Sequence, residues 1–314
     1  MQNIIFSINV VVPIFVIVFL GIFLRRRNIL NENFAAVSSN LSFQVSLPAM
    51  LFDDLAKTDL KGILDLKLIG FALAGILVFF IIFSLAGKLM IRDGKSRGAF
   101  VQGIFRSNFA ILGLALASNA LGQAGLTKSA VLLAFVIPLF NVLAVITLTI
   151  NSSDSACIDR KGILKNIAKN PLIIAIVLAL PFSYFQIPLP AILDNIIGYM
   201  SSIAIPLALL GMGCSFDFKS SRKIFGLTLT ASLIKIVVMP LVLLAAAYFL
   251  GFRGVDLGVL FILFASPTAI SSFVMAKAMD CDADLSAGIV LMTTIGSVIT
   301  LSAGIFILKT FGLI

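Results

Sequence analysis

Two short stretches of this chain place hydrogen-bonding side chains and helix-breaking residues inside otherwise apolar runs. One reads GIFRSNFAILGLAL at 103–116, the other FASPTAISSF at 264–273. Ser107 and Asn108 are poor helix-interior residues because their side chains offer the backbone other hydrogen bonds, and Gly113 adds freedom. Pro267 removes an amide and disrupts the bond to the preceding turn. Ser266, Thr268, Ser271 and Ser272 add hydroxyls beside it. If the two stretches meet, half-helix N-termini point at a common site, and such ends are electropositive and suit carboxylates. Arg106 stands two residues before Asn108, and Lys235 sits in the middle of ASLIKIVVMP at 231–240, with no Asp or Glu comparably deep. Two deep cations without deep acids point to an anionic cargo, or to helix termini and carbonyls as their partners. Gln44 and Pro48 in FQVSLPAMLF at 43–52, and Asn141 in PLFNVLAV at 138–145, are further polar or bending points that could line a cavity. Each residue also has a plainer reading. Pro267 could be a simple kink, Asn108 an interhelical bond, Arg106 a clamp on carbonyls, and Lys235 a snorkelling chain or a partner of Ser and Thr; for Gln44, Pro48 and Asn141 it is local packing.

The elements that must carry these residues are membrane-spanning helices. The chain of 314 residues is 60% hydrophobic and only 12% charged, and its mean hydropathy is +1.15. A soluble domain is about half apolar and a quarter charged, so the excess must face lipid. Ten stretches are long and apolar enough to cross: 4–24, 35–55, 67–91, 98–119, 129–150, 167–183, 189–213, 222–250, 257–279 and 285–312. The sixth and seventh are separated only by FQIPLP. The first run precedes Arg25, Arg26 and Arg27, the reverse of the order in a cleavable signal peptide, and so reads as a retained helix.

The net charge of +9 belongs to short loops, which makes it a topology signal and not a nucleic-acid surface. With the N-terminus outside, the cytoplasmic loops hold fifteen Lys and Arg against six on the outer side. Both termini are therefore expected outside a bacterial inner membrane, with Cys157, Cys214 and Cys281 at the reducing face. The absence of histidine removes the commonest metal ligand and proton shuttle, and no metal or other cofactor is expected. Asp53, Asp54 and Asp194 fall near span ends and read as solvated caps, with proton coupling through Asp53 as the alternative.

The two halves repeat one another. KLIGFAL at 67–73 matches KIFGLTL at 223–229, VSLPAML at 45–51 matches AIPLALL at 204–210, SNFAI at 107–111 matches SPTAI at 266–270, and AVITLT at 144–149 matches SVITLS at 297–302. The four matches come in the same order at nearly one offset. Residues 1–150 are thus a first five-helix repeat, 151–166 a linker and 167–314 a second repeat. Because five is odd, the second enters the membrane from the opposite side, as in secondary transporters.

The segments VSLPAMLF at 45–52, FRSNFAILGLAL at 105–116, IPLALLGMG at 205–213, SPTAISSFVMA at 266–276 and DADLSAGIVLMTTIGSVITL at 282–301 together resemble the auxin efflux carrier family in its compact, malate permease-like bacterial form. The resemblance covers nearly the whole chain. It implies an all-α membrane protein of ten helices in two inverted repeats, with crossing, broken fourth and ninth helices at Asn108 and Pro267. It further implies a scaffold of helices 1, 2, 6 and 7, a mobile unit of helices 3–5 and 8–10, and elevator-like transport of small carboxylates such as malate. Relatives carry GLPL where this chain has GLAL, with Ala115 in place of proline, so the fourth helix could be less broken here. A sodium-coupled symporter of the bile-acid type and a non-transporting receptor are the alternatives, and a membrane enzyme ranks last. Proton or sodium coupling and a homodimer are left open.

Overall fold

The computed structural model is all-helical and describes residues 2–57, 65–152, 165, 168–215 and 224–314. The expected linker at 151–166 and the basic residues Arg160, Lys161, Lys219, Arg222 and Lys223 lie almost wholly outside the described residues. In chain order the helices are α1 (Gln2–Arg26), α2 (Glu32–Leu41), α3 (Leu47–Ala56), α4 (Leu66–Met90), α5 (Gly94–Phe105), α6 (Leu114–Asn151), α7 (Pro171–Phe185), α8 (Ala191–Ser202), α9 (Ala204–Ser215), α10 (Phe225–Leu233), α11 (Met239–Phe249), α12 (Gly254–Ala265), α13 (Ser271–Ala278) and α14 (Ala283–Thr310). Single π-helical turns at Ser42–Ser46, Phe109–Gly113 and Ile234–Val238 lead into α3, α6 and α11. By length and composition, five helices among the described residues can cross a membrane: Leu66–Met90, Leu116–Asn151, Ala191–Ser215, Phe225–Phe249 and Ala283–Thr310. Pro171–Phe185 and Gly254–Ala265 are shorter and apolar.

Polar loop residues start the helices. Asn31, Asp65, Asp93, Asn170 and Asp282 each accept a backbone N–H from the first turn they precede, which satisfies donors that a helix start leaves open. Breaks fall where the residue types allow them. Gly122 adopts φ 68° and ψ −159°, a conformation open to glycine, and divides α6 between the expected fourth and fifth spans. Gln186 is left-handed at the end of α7, where FQIPLP ends the sixth span.

The helices pack as two groups. In one, α1 lies against α9, α9 against α2, and α3 against α7 and α8. Close approach of α1 and α9 depends on glycine: a Cβ on Gly213 would lie 2.1 Å from the Val18 carbonyl oxygen, and one on Gly21 2.6 Å from that of Leu210. In the other group, α5 packs on α4, α6, α10 and α14, and α12 packs on α6 and α11. The groups touch where α13 meets α2 and α9 and where α14 meets α1. α5 and α12 are the innermost helices: every residue of α5 from Gly98 to Phe105 and of α12 from Leu257 to Ala265 is buried. The surface is strongly apolar, with Leu89, Ile192, Tyr199, Phe249, Ile299 and Phe306 among many large exposed side chains, as a lipid-facing surface requires.

Candidate functional site

Both polar stretches are breaks. α5 ends at Phe105 and the chain runs through Arg106–Asn108 without helical structure before the π-helical turn at Phe109–Gly113. α12 ends at Ala265, and 266–270 stay non-helical until α13 begins at Ser271. The fourth helix is therefore interrupted although Ala115 stands where the resembled family has proline. The interruption falls at Arg106, extended at φ −76° and ψ 137°, and at Asn108, in a bridging conformation at φ −83° and ψ 46°.

The two breaks meet. The Asn108 N–H donates to the Pro267 carbonyl at 2.7 Å. A reciprocal pair of side-chain bonds flanks this contact: Ser107 Oγ donates to the Leu263 carbonyl of α12 at 2.8 Å, and Thr268 Oγ1 donates to the Gly103 carbonyl of α5 at 2.7 Å. Both acceptors lie in the last turn of a half-helix, where carbonyls lack helical partners. Each broken helix thus has its open end satisfied by a hydroxyl of the other, which is the condition for irregular backbone at membrane depth. Ser266 turns back onto the Ile262 carbonyl at 2.6 Å, and the Thr268 N–H donates to Thr293 Oγ1 of α14 at 3.1 Å. Gln102 ties α5 to α13 through the Ser272 carbonyl.

The deep cations serve different places. Arg106 is 4% exposed; its Nη2 donates to Asn141 Oδ1 and Ser271 Oγ, both at 2.8 Å, and its Nη1 lies against Met275 Sδ. Asn141 in turn donates to the Ile137 carbonyl. Lys235 is fully buried and donates to the Phe264 carbonyl at 3.3 Å, where it caps the end of α12. It is not among the residues lining the cavity beside the crossing.

That cavity, of about 80 Å³, is lined on one side by Arg106, Ser107, Asn108, Asn141, Ala269 and Ser271, which places the first turn of α13 against it. Its other side is mostly apolar, formed by Leu47, Leu51, Ala204 and Ala208 among others. The structure thus brings Arg106, Ser107, Asn108, Asn141 and Ser271 together around one space, with Ser266, Pro267 and Thr268 bracing the crossing behind it. Pro48 lies in the first turn of α3, beside the lining residue Leu47. Gln44 is exposed and donates to Asn40, apart from the cavity.

One residue of this site was read differently from sequence. Asp54 lines the cavity and is not a solvated cap. Asp53 and Asp194 do lie outside it: both pair with Lys57, at 2.7 and 2.8 Å, and so tie α3 to α8. A span-end position and a paired neighbour hid Asp54. The heptad-like placement of Leu47, Leu51 and Asp54 on one face of α3 was the signal that could have found it.

Comparison with known proteins points to membrane transport. The profile of a family described as "Membrane transport protein" matches residues 6–156 and 158–305. The chain is similar to an uncharacterized transporter of Methanothermobacter thermautotrophicus, at 26% identity over 94% of this chain and 96% of the relative. It is also similar to an uncharacterized transporter of Methanocaldococcus jannaschii, at 25% identity over 94% and 96% of the two chains.

Proposed function

The chain belongs to the membrane transport protein family, that of the auxin efflux carriers, and we propose that it is a secondary carrier of small organic anions, mono- or dicarboxylates such as malate. The observation that carries this reading is the meeting of two broken helices beside a buried arginine. An anion in the cavity would find the N-terminal turn of α13, the Asn108 side chain and the positive charge of Arg106 within one space. Arg106 already has neutral partners in Asn141 and Ser271, so the anion would face a fixed guanidinium and would not have to order a mobile one.

The proposed architecture is ten spans in two inverted five-helix repeats, 1–150 and 167–314, with both termini outside the plasma membrane. Two features support it. The breaks fall at matching places in the two halves, and each satisfies the other by the same kind of bond. The proposed transport mechanism is elevator-like: helices of spans 3–5 and 8–10 carry the site along a scaffold of spans 1, 2, 6 and 7. The separate packing of these two sets of helices supports that division. Family membership favours transport over the receptor and enzyme alternatives.

The test is counterflow in liposomes holding the purified protein, with radiolabelled acetate, malonate and malate as probes. Each is assayed with a sodium gradient, a proton gradient or neither. Exchange of at least one carboxylate is expected; exchange of none, by protein that is folded by melting, would overturn the reading.

A further inference from the structure

Among the described residues that line the cavity, two are ionisable, Asp54 and Arg106. Spans 4, 5 and 9 contribute the polar wall with Arg106. The facing wall, from α3 and α9, is apolar except for the half-buried Asp54. Among the described residues, Asp54 interacts electrostatically with Asp53 and Lys57 of its own helix, and further groups pack around it. On its own helix, Asp53 and Lys57 are engaged with each other, and Lys57 also holds Asp194 of α8. α7 carries no Asp, Glu, Lys or Arg, and its Tyr184 is exposed. α6 meets Asp54 with Leu133, Ala134 and Ile137, while its Lys128 pairs with Asp65 and Asp256. α9 offers Ala204, Ile205 and Ala208. Arg106 lines the same cavity.

We propose that Asp54 is a pH gate on anion loading: an anion enters this cavity readily only when Asp54 is protonated. This rests on the carrier reading above. The argument is charge and dielectric. An ionised Asp54 partly neutralises the field of Arg106 and repels an entering carboxylate across an apolar space, where like charges interact more strongly than in water. Protonation removes the repulsion and converts an acceptor into an O–H donor for the anion. The only bond made or broken is that O–H. The proton comes from the water that the cavity meets and returns there when the anion leaves. Asp54 sits on the wall assigned to the scaffold, while Arg106 and Asn108 sit on the part that would travel. The proton therefore stays with the fixed wall, and the gate senses the pH of one compartment without carrying a proton across.

The experiment is equilibrium binding of radiolabelled malate, with malonate as a second probe, to purified wild type, Asp54→Asn and Asp53→Asn. The range is about pH 6 to 8.5, where the free acids stay ionised. Wild-type affinity is expected to fall about tenfold or more as pH rises, with close to one proton taken up per anion bound. Asp54→Asn flattens that dependence, and Asp53→Asn, which removes a neighbouring charge but leaves the Asp54 carboxyl in place, keeps it with a shifted midpoint. A flat wild-type profile, or an Asp54→Asn profile that still falls, overturns the gate and leaves the carrier reading standing. Proton-driven accumulation lost in Asp54→Asn would also overturn it, in favour of proton symport. Binding of neither probe by folded wild type at any pH would count against the carrier reading itself, and this inference would fall with it.

Discussion

Replacing Thr268 by valine keeps the side chain's shape and removes one hydroxyl from the crossing. Thr268 is fully buried, and its Oγ1 is 2.7 Å from the Gly103 carbonyl in the last turn of α5. A water is poorly placed to take over, because even a Cβ on Gly103 would come within 2.9 Å of Ile289. The carbonyl is left unpaired, at a cost of about 1–3 kcal/mol. Ser107→Ala removes the reciprocal bond to Leu263, but Ser107 lines the cavity and water there can replace the hydroxyl. Its cost is about 0.5 kcal/mol, within the range for polar contacts between membrane helices. Thermal unfolding of the purified protein in detergent separates the two. Thr268→Val is expected to melt about 2–6 °C below wild type and Ser107→Ala about 1 °C below it. Equal melting of Thr268→Val and wild type, or a larger loss from Ser107→Ala, would refute the idea that each broken helix is held by the other's hydroxyl.

Other substitutions probe the packing and the cations. Gly213→Ala should destabilise by about 1–3 kcal/mol, since its new methyl would lie 2.1 Å from the Val18 carbonyl oxygen. Gly70→Ala in α4 meets nothing within 4 Å and should be neutral or stabilising by up to about 1 kcal/mol; detergent melting of the pair checks both. Arg106→Ala should weaken carboxylate binding by at least about tenfold, the effect of losing a charge-assisted hydrogen bond of about 1.5–3 kcal/mol, as read by radiolabelled malate binding. Unchanged affinity would make Arg106 a brace for Asn141 and Ser271 alone. At the turn between α13 and α14, burial and then Asp280 push the Cys281 thiol up to about 12. Its thiolate fraction at pH 8 is then about a thousandfold below that of an ordinary thiol, and alkylation followed by mass spectrometry should show it nearly inert, with reactivity rising only as pH approaches its pKa.

Much of the site was legible in the chain because broken membrane helices need particular residues. Ser107, Asn108 and Pro267 are poor helix formers in runs that must otherwise be helical, and the structure breaks the helices there. Arg106 and Asn141 were separately conspicuous as polar groups in apolar spans; that they bond to each other depends on how α5 and α6 pack, which no local pattern states. Lys235 illustrates the limit. Its depth was visible, but its partner is a backbone carbonyl made available only because α12 stops at Ala265. Asp54 was misread for the opposite reason: a carboxylate near a span end is usually solvated, and only the arrangement of α3, α6 and α9 encloses this one. The fold's helical character and membrane residence followed directly from composition, whereas the grouping of helices rests on contacts such as Gly21 with Gly213, which join residues far apart in sequence.

Asn108→Ala offers the most direct measurement. The bond to Pro267 uses the Asn108 backbone N–H and survives the substitution, while the side chain that lines the cavity is lost. Malate and malonate counterflow is measured in liposomes for wild type and variant, with melting followed in parallel. The account predicts abolished exchange with a melting temperature held within about 2 °C of wild type. Exchange at the wild-type rate by the Asn108→Ala protein would contradict the assignment of the crossing as the place where the anion binds.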